Sequence, residues 1–312
     1  MILEPILFGV ARLLIGLLQS LPLHVVARMG RAGGALAYLI DARHRKVAQQ
    51  NLALAFPEKS VGEVRALTKE NFKRIGENFS CAVRTANMDA HEIQKIVTAS
   101  GEEKLRAKIS AAQPQSIVVA IGHFGNFELF AHCGQFVKEY KFATTYRGLR
   151  QPSLNRLLQN LREKSGCLFF ERRTDGEALK QAMNAGGVML GLLSDQRAGN
   201  GVLIPFLGRD CSTSPAPAVL ALRYHAPLFT AFCFRTQLGQ WKIELADEIA
   251  THENGGARSS EAIMRDVNRS FENAIRRDPA NWFWVHNRWR LSDEQAQKIS
   301  RRQKRAEANI PK

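Results

Sequence analysis

The chain has 312 residues, 45% hydrophobic and 23% charged, a globular composition that allows one large α/β domain or two small ones. Its formal charge of +15 favours polyanionic partners (nucleic acid, an anionic membrane, an acidic carrier protein or a phosphorylated substrate), with plain surface solvation as the alternative. The scattered cysteines Cys81, Cys133, Cys167, Cys211 and Cys233 form no C-x-x-C pair, which argues against a disulfide framework or a structural zinc site and for a reducing compartment.

The N-terminus is apolar. Residues 5–18 carry only Arg12 as a charge, and residues 21–40 only Arg28 and Arg31. Neither stretch holds about 20 uncharged residues, which disfavours a clean transmembrane span. Glu4 sits where a secretory signal needs positive charge, and no small-x-small cleavage pattern follows. Apolar residues with arginines spaced among them suit a helix lying in, or dipping into, a membrane interface. The basic cluster Arg43-His44-Arg45-Lys46 prefers the cytoplasmic side. An amphipathic core helix would read the same way.

Residues 46–112 read as helical. Pro57 closes the first helix, and 60–86 carries a long helical period through Val64, Leu67, Phe72, Ile75 and Phe79. From residue 115 the pattern changes. Strands are predicted at 116–122, 142–146, 167–171, 188–194, 227–235 and 241–245. Helices are predicted at 126–140, 152–165, 174–185, 213–224 and 261–277. Alternating strands and helices with short joins imply a mostly parallel central sheet covered on both faces. Sites in such sheets gather at the carboxyl ends of strands. His123, Arg147, Arg172 and Asp195 each lie at or just past a predicted strand end. The tail from residue 297 is basic and expected to be exposed.

The motif IGHFGNFE, residues 121–128, carries the chemistry. His123 and Glu128 are five positions apart, about 140° on one continuous helix, so they meet only if the chain turns between them. Gly125-Asn126 supplies a turn. A carboxylate on one nitrogen of His123 would fix its tautomer and leave the other to accept a hydroxyl proton. The competing reading is a His satisfied by ordinary hydrogen bonds. No HExxH motif, nearby Cys/His cluster, phosphate-binding Gly-Lys loop or dinucleotide fingerprint occurs, so no metal is expected. Arg147, Arg150, Arg156, Arg162, Arg172 and Arg173 crowd one region and could clamp phosphates or carboxylates. Arg150 and Arg156 read better as a solvated face, while Arg147 directly ends a strand and could stabilise an oxyanion. Trp282, Trp284 and Trp289 suit base stacking, a core edge or a membrane interface, and no nucleic-acid motif supports the first.

Together these residues resemble the late acyltransferases of lipid A biosynthesis, relatives of the glycerolipid acyltransferases. Residues 43–58 (RHRKVAQQNLALAFPE) resemble that family's basic stretch and its NL…FPE element. GHFGNFE resembles its H-x4-D/E motif, Tyr146-Arg147 its YR element, and Glu171-Arg172-Arg173 its acid-arginine segment. Residues 194–196, IPFLG at 204–208 and 213–215 are similar to its DQ…PFFG…T-P region. WVHNRWR at 284–290 is similar to its terminal W-x-HRR element. Arg197 stands where the family often has a second acid, and Asn287 where an arginine is common. Both departures bear on substrate identity rather than on reaction type.

The resemblance implies a glycerolipid-acyltransferase-like α/β fold with an N-terminal membrane-associated helical segment. The expected divisions are membrane-associating helices at 1–45, a helical region at 46–112, the acyltransferase core at 113–292 and a basic tail at 293–312. It implies transfer of an acyl chain from a thioester, on acyl carrier protein or CoA, to a hydroxyl of a lipid A precursor. His123 would be the base, Glu128 its orienter and Arg147 an oxyanion donor. Asn126, Arg172, Asp195, Gln196 and Thr213 would bind substrate. No cofactor would be needed, and the partners would be the carrier, a membrane glycolipid and an anionic surface rather than nucleic acid. The expected location is the cytoplasmic face of the inner membrane. The alternatives are an acyltransferase for another membrane lipid, such as a lysophospholipid or ornithine lipid, and a non-catalytic basic membrane-binding protein.

Overall fold

A computed structural model describes residues 3–106, 114–149 and 151–308. The chain opens with helices α1 (Leu3–Ser20), α2 (Leu23–Ile40), α3 (Ala42–Ala55) and α4 (Val61–Thr85). Asp41 caps α3 by accepting from the His44 N–H, and α3 stops two residues before Pro57. Ser60 and Glu63 form a reciprocal capping box that starts α4, and Asp89 and Glu92 do the same for α5 (Ala90–Ile96). The stretch 46–106 is not wholly helical as expected. It ends in strand β1 (Val97–Ser100) and the short helix α6 (Glu102–Arg106); residues 107–112 lie outside the described ones.

The core strands are β2 (Ile117–Ile121), β3 (Lys141–Tyr146), β4 (Leu168–Glu171), β5 (Val188–Leu193), β8 (Leu228–Gln237) and β9 (Gln240–Leu245), with the hairpin β6 (Arg197–Phe206) and β7 (Arg209–Thr213) set apart. Among the described residues the main sheet runs β1-β9-β8-β2-β5-β3-β4. Every neighbouring pair is parallel except β8 and β9. This is the mostly parallel sheet that the alternating pattern called for. Helices α7 (Pro152–Glu163), α8 (Gly176–Ala185), α9 (Ala216–Arg223) and α10 (Ser260–Arg277) fall where the sequence placed helices.

Three elements depart from expectation. The helix expected at 126–140 is a 3₁₀ segment, Phe127–Gln135. The tail, for which the sequence predicted no element, is helix α11 (Asp293–Ala308). The β6–β7 hairpin had no counterpart in the reading. Its register pairs Phe206 with Arg209, so Leu207-Gly208 is a two-residue turn with φ of 48° and 79°. Such turns usually announce themselves as Asn-Gly or Asp-Gly. Here Leu207 is held in the left-handed region by burial and by its N–H donating to Glu272 Oε1 at 2.8 Å.

The two faces of the sheet are separately packed. Val118, Ala120, Leu190 and Leu192 join Ala218 of α9 and Ile263 and Val267 of α10 in one apolar cluster. Val119, Ile121 and Met189 point the other way, with Leu105, Val137 and Tyr140. That second face is hollowed by a large cavity at the carboxyl ends of the strands. Among the described residues no helix is long and apolar enough to cross a membrane.

Candidate active site

The loop after β2 builds the site. Gly125 has φ 51°, and a Cβ there would stand 2.3 Å from the Cys233 carbonyl oxygen, so only glycine makes this turn. The Gly125 N–H donates to Asn281 O at 3.1 Å, and Phe124 pairs with Trp282 across an isolated β-bridge. The loop is thereby clamped to the segment that follows α10. His123 emerges between these anchors, its ring 4.9 Å from that of Phe127 and 6.0 Å from that of Phe283.

The carboxylate on His123 is Asp195, not Glu128. Asp195 follows β5 and is fully buried. Its Oδ1 accepts from His123 Nδ1 at 2.7 Å, while Oδ2 accepts the His123 backbone N–H at 2.7 Å and Trp282 Nε1 at 2.7 Å. Burial pushes the Asp195 carboxyl up, but the charge of His123 and the three hydrogen bonds outweigh it and hold the group below the usual carboxylate range. An ionised carboxylate only accepts, so Nδ1 must carry the proton and Nε2 is left to accept one.

Glu128 has a different partner. Arg162 of α7 donates to it through Nη2 at 2.8 Å and Nε at 3.3 Å. The guanidinium also lies over the rings of Phe169, at 5.2 Å, and Tyr146, at 5.9 Å. The turn at Gly125-Asn126 therefore forms, but it brings His123 to the second residue after β5 rather than to the acid five positions on.

His123 and Glu128 line a cavity of about 680 Å³. Arg147, Arg162, Arg172, Gln196 and Arg197 line it too, along with the apolar side chains of Val119, Ile121, Phe142, Met189, Leu193 and Ile243. The volume falls in the ordinary range of ligand sites, about 300–1,000 Å³. Arg172 Nε donates to Thr145 Oγ1 at 3.2 Å. Arg150 lies outside the described residues.

Three residues expected to bind substrate, Asp195 among them, are buried outside this cavity. Asn126 donates to Thr85 Oγ1 at 3.4 Å, and Thr213 accepts from Arg288 Nη2 at 2.7 Å. Arg288 is itself fully buried beneath the site, donating to Ser212 O at 2.7 Å with its guanidinium 4.9 Å from the Phe206 ring. Trp282 and Trp284 are buried in the main apolar core as well, so they form no exposed stacking platform. The cysteine thiols lining the cavity are poor nucleophiles. Burial pushes Cys167 up to about 12 and raises Cys133 as well.

The family model for bacterial lipid A biosynthesis acyltransferases matches residues 5–291. The chain belongs to that family. It is 24% identical over 283 residues to the lipid A biosynthesis lauroyltransferase of Escherichia coli K12, covering 89% of each chain. It is 23% identical over 280 residues to the lipid A biosynthesis palmitoleoyltransferase of the same organism, covering 87% of each. A lipid A biosynthesis acyltransferase of Shigella flexneri matches to the same extent. The protein is thus an acyltransferase of lipid A biosynthesis.

Sequence reasoning had marked Asp195 for its place after a strand, but as a substrate ligand. The roles of Trp282 and Arg162 were missed. Trp282 gave no local signal, since only the bridge to Phe124 brings its indole to Asp195. Arg162 was one basic residue among several.

Proposed function

We propose that the protein moves a fatty acyl chain from an acyl thioester to a hydroxyl of a lipid A precursor, with His123 as general base. The observation that carries the reading is the His123–Asp195 hydrogen bond, with His123 lining a mainly apolar cavity. The acyl chain lies in that cavity with its thioester carbonyl at the mouth. His123 Nε2 takes the proton of the acceptor hydroxyl as its oxygen attacks the carbonyl carbon. Asp195 holds the resulting imidazolium. The tetrahedral oxyanion is met by Arg147 at the mouth. The C–S bond then breaks, the thiolate departs, and His123 returns a proton to it. No cofactor enters this sequence, because a thiol of reference pKa about 8.5 is already a good leaving group.

Acyl carrier protein is the preferred donor carrier, since a surface of +15 favours an acidic partner over the smaller CoA. The exposed apolar residues of α1 support attachment to the cytoplasmic face of the inner membrane, where the acceptor lies.

The test is acyl transfer with purified protein, acyl carrier protein or CoA thioesters and an under-acylated lipid A, followed by mass spectrometry of the lipid. The product should gain one acyl group, and His123→Ala should lose that activity while staying folded. Undiminished transfer by His123→Ala would sink the assignment of the base.

A further inference from the structure

A second cavity, of about 220 Å³, lies against the first. Leu179 of α8, Phe170 of β4, Leu192 of β5 and Ala216, Pro217 and Leu220 at the start of α9 give it an apolar lining. Glu171, Arg172 and Asp175 stand at its polar side, and Glu171 and Asp175 are already engaged by backbone N–H donors. It belongs to the sheet face opposite the acyl cavity. Side chains alternate along β5, so Met189 and Gly191 line the first cavity while Leu192 lines the second. The cavities meet where the strands end, and Thr145, Arg172, Leu193, Ser194 and Ser214 line both.

Ser194 marks the junction. It is 2% exposed, and its hydroxyl is buried without a hydrogen-bond partner. Its N–H donates to Ile121 O at 3.1 Å, which fixes the backbone one residue before Asp195. A buried hydroxyl left unpaired between two cavities costs free energy unless a ligand group meets it.

We propose that this second cavity binds an alkyl chain of the acceptor lipid, with Ser194 Oγ meeting the polar group where that chain joins the reacting hydroxyl. The inference rests on the acyl-transfer reading above. That reaction needs two lipid substrates at one base, and in that reading the donor chain occupies the first cavity when its thioester is at His123. A lipid acceptor brings its own chains, and apolar space that joins the first cavity at Ser194, next to the carboxylate bound to His123, is the position from which its hydroxyl could reach Nε2. The occupant is committed by continuity: the wall of the second cavity is the wall of the reaction site, one residue from the carboxylate that orients the base.

Two measurements test this. The first counts bound decanoic acid by calorimetry, independent of turnover. Wild type should bind two equivalents, Leu179→Trp one, and the acyl-cavity variant Ala231→Leu the other. The second compares a long-chain acceptor with the same acceptor whose hydroxyl-bearing chain is trimmed to a methyl. Leu179→Trp, and separately Ala216→Leu, should raise KM for the long acceptor about tenfold and leave KM for the trimmed acceptor and for the donor unchanged. One equivalent in wild type, or KM changes equal for both acceptors, would overturn the proposal. Two equivalents without any acyl transfer would instead overturn the transfer reading, and the acceptor assignment with it.

Discussion

At the residue scale the site turns on which carboxylate serves which cation. Three donors converge on the two oxygens of Asp195, and a carboxylate accepts all of them. An amide offers a single acceptor oxygen, so Asp195→Asn must set its NH2 against either His123 Nδ1–H or the pair of donors on Oδ2. The expected result is a fall in kcat of about a thousandfold or more, the scale seen when an orienting carboxylate is replaced by an amide elsewhere. The pH dependence follows from the depressed pKa of Asp195. Its stabilising contribution is present above the unfolded value of about 3.9 and is lost as pH falls through the lower folded value. The stability gap between wild type and Asp195→Asn, measured by denaturant unfolding, should therefore close as the pH falls below about 4. Glu128 and Arg162 act as a second unit. Glu128→Gln and Arg162→Gln should each lower kcat/KM, while the double variant is little worse than either alone. Glu128→Gln and Asp195→Asn should instead compound. Compounding between Glu128 and Arg162 would show that Glu128 works through another group.

At the element scale the helical layer depends on backbone contact. A Cβ on Gly34 of α2 would stand 2.1 Å from Phe72 O of α4, and one on Gly76 would stand 2.1 Å from Gly30 O. Gly34→Ala must push α2 and α4 apart, and a loss of at least about 1–3 kcal/mol is expected in urea unfolding. Buried Glu77 lies at the same contact, accepting from Arg31 at 3.2 Å, Arg235 at 2.9 Å and the Gly239 N–H at 3.0 Å, so the separation also opens an ion-pair network. This contact shows what the chain makes legible. Helix α4 was readable end to end because its period and its capping box are local. Strands β2, β5 and β8 were readable because buried strands are short apolar runs, whereas β1 lay in a stretch that read as helix. The glycine contact, the Leu207 turn and the 3₁₀ form of Phe127–Gln135 were not, because tertiary partners enforce each of them. The same holds at the site. GHFGNFE located His123 and its turn, but the orienting acid arrives from another strand end, 72 positions along the chain. A local motif could not choose between two acids once the sheet had set their distances.

At the scale of the whole molecule, the proposed membrane attachment rests on α1, because among the described residues no helix is long and apolar enough to cross a membrane. Ile6, Leu7, Val10, Leu13, Leu14 and Leu17 are all exposed, and their spacing places them on one helical stripe. Leu13 is 76% exposed, far more than packing against the protein would leave. The inner side of α1 rests on α4 and also touches α7, the helix that carries Leu158 and Arg162 to the cavity wall. A bilayer seated on the stripe would therefore lie beside the mouth, and an acceptor could enter without crossing water. Burying a leucine side chain is worth about 1.5–3 kcal/mol at most. Leu13→Asp/Leu14→Asp together should thus weaken vesicle binding by about 3 kcal/mol, roughly a hundredfold. The basic surface adds a screened attraction, so added salt should weaken binding to anionic vesicles and leave the smaller affinity for neutral ones. Co-sedimentation with both vesicle types at low and high salt separates the two contributions. Turnover of a detergent-dispersed acceptor by the double variant should match wild type, because α1 contributes no residue to the cavity wall. If vesicle binding by the double variant is unchanged, α1 is not the membrane-facing element.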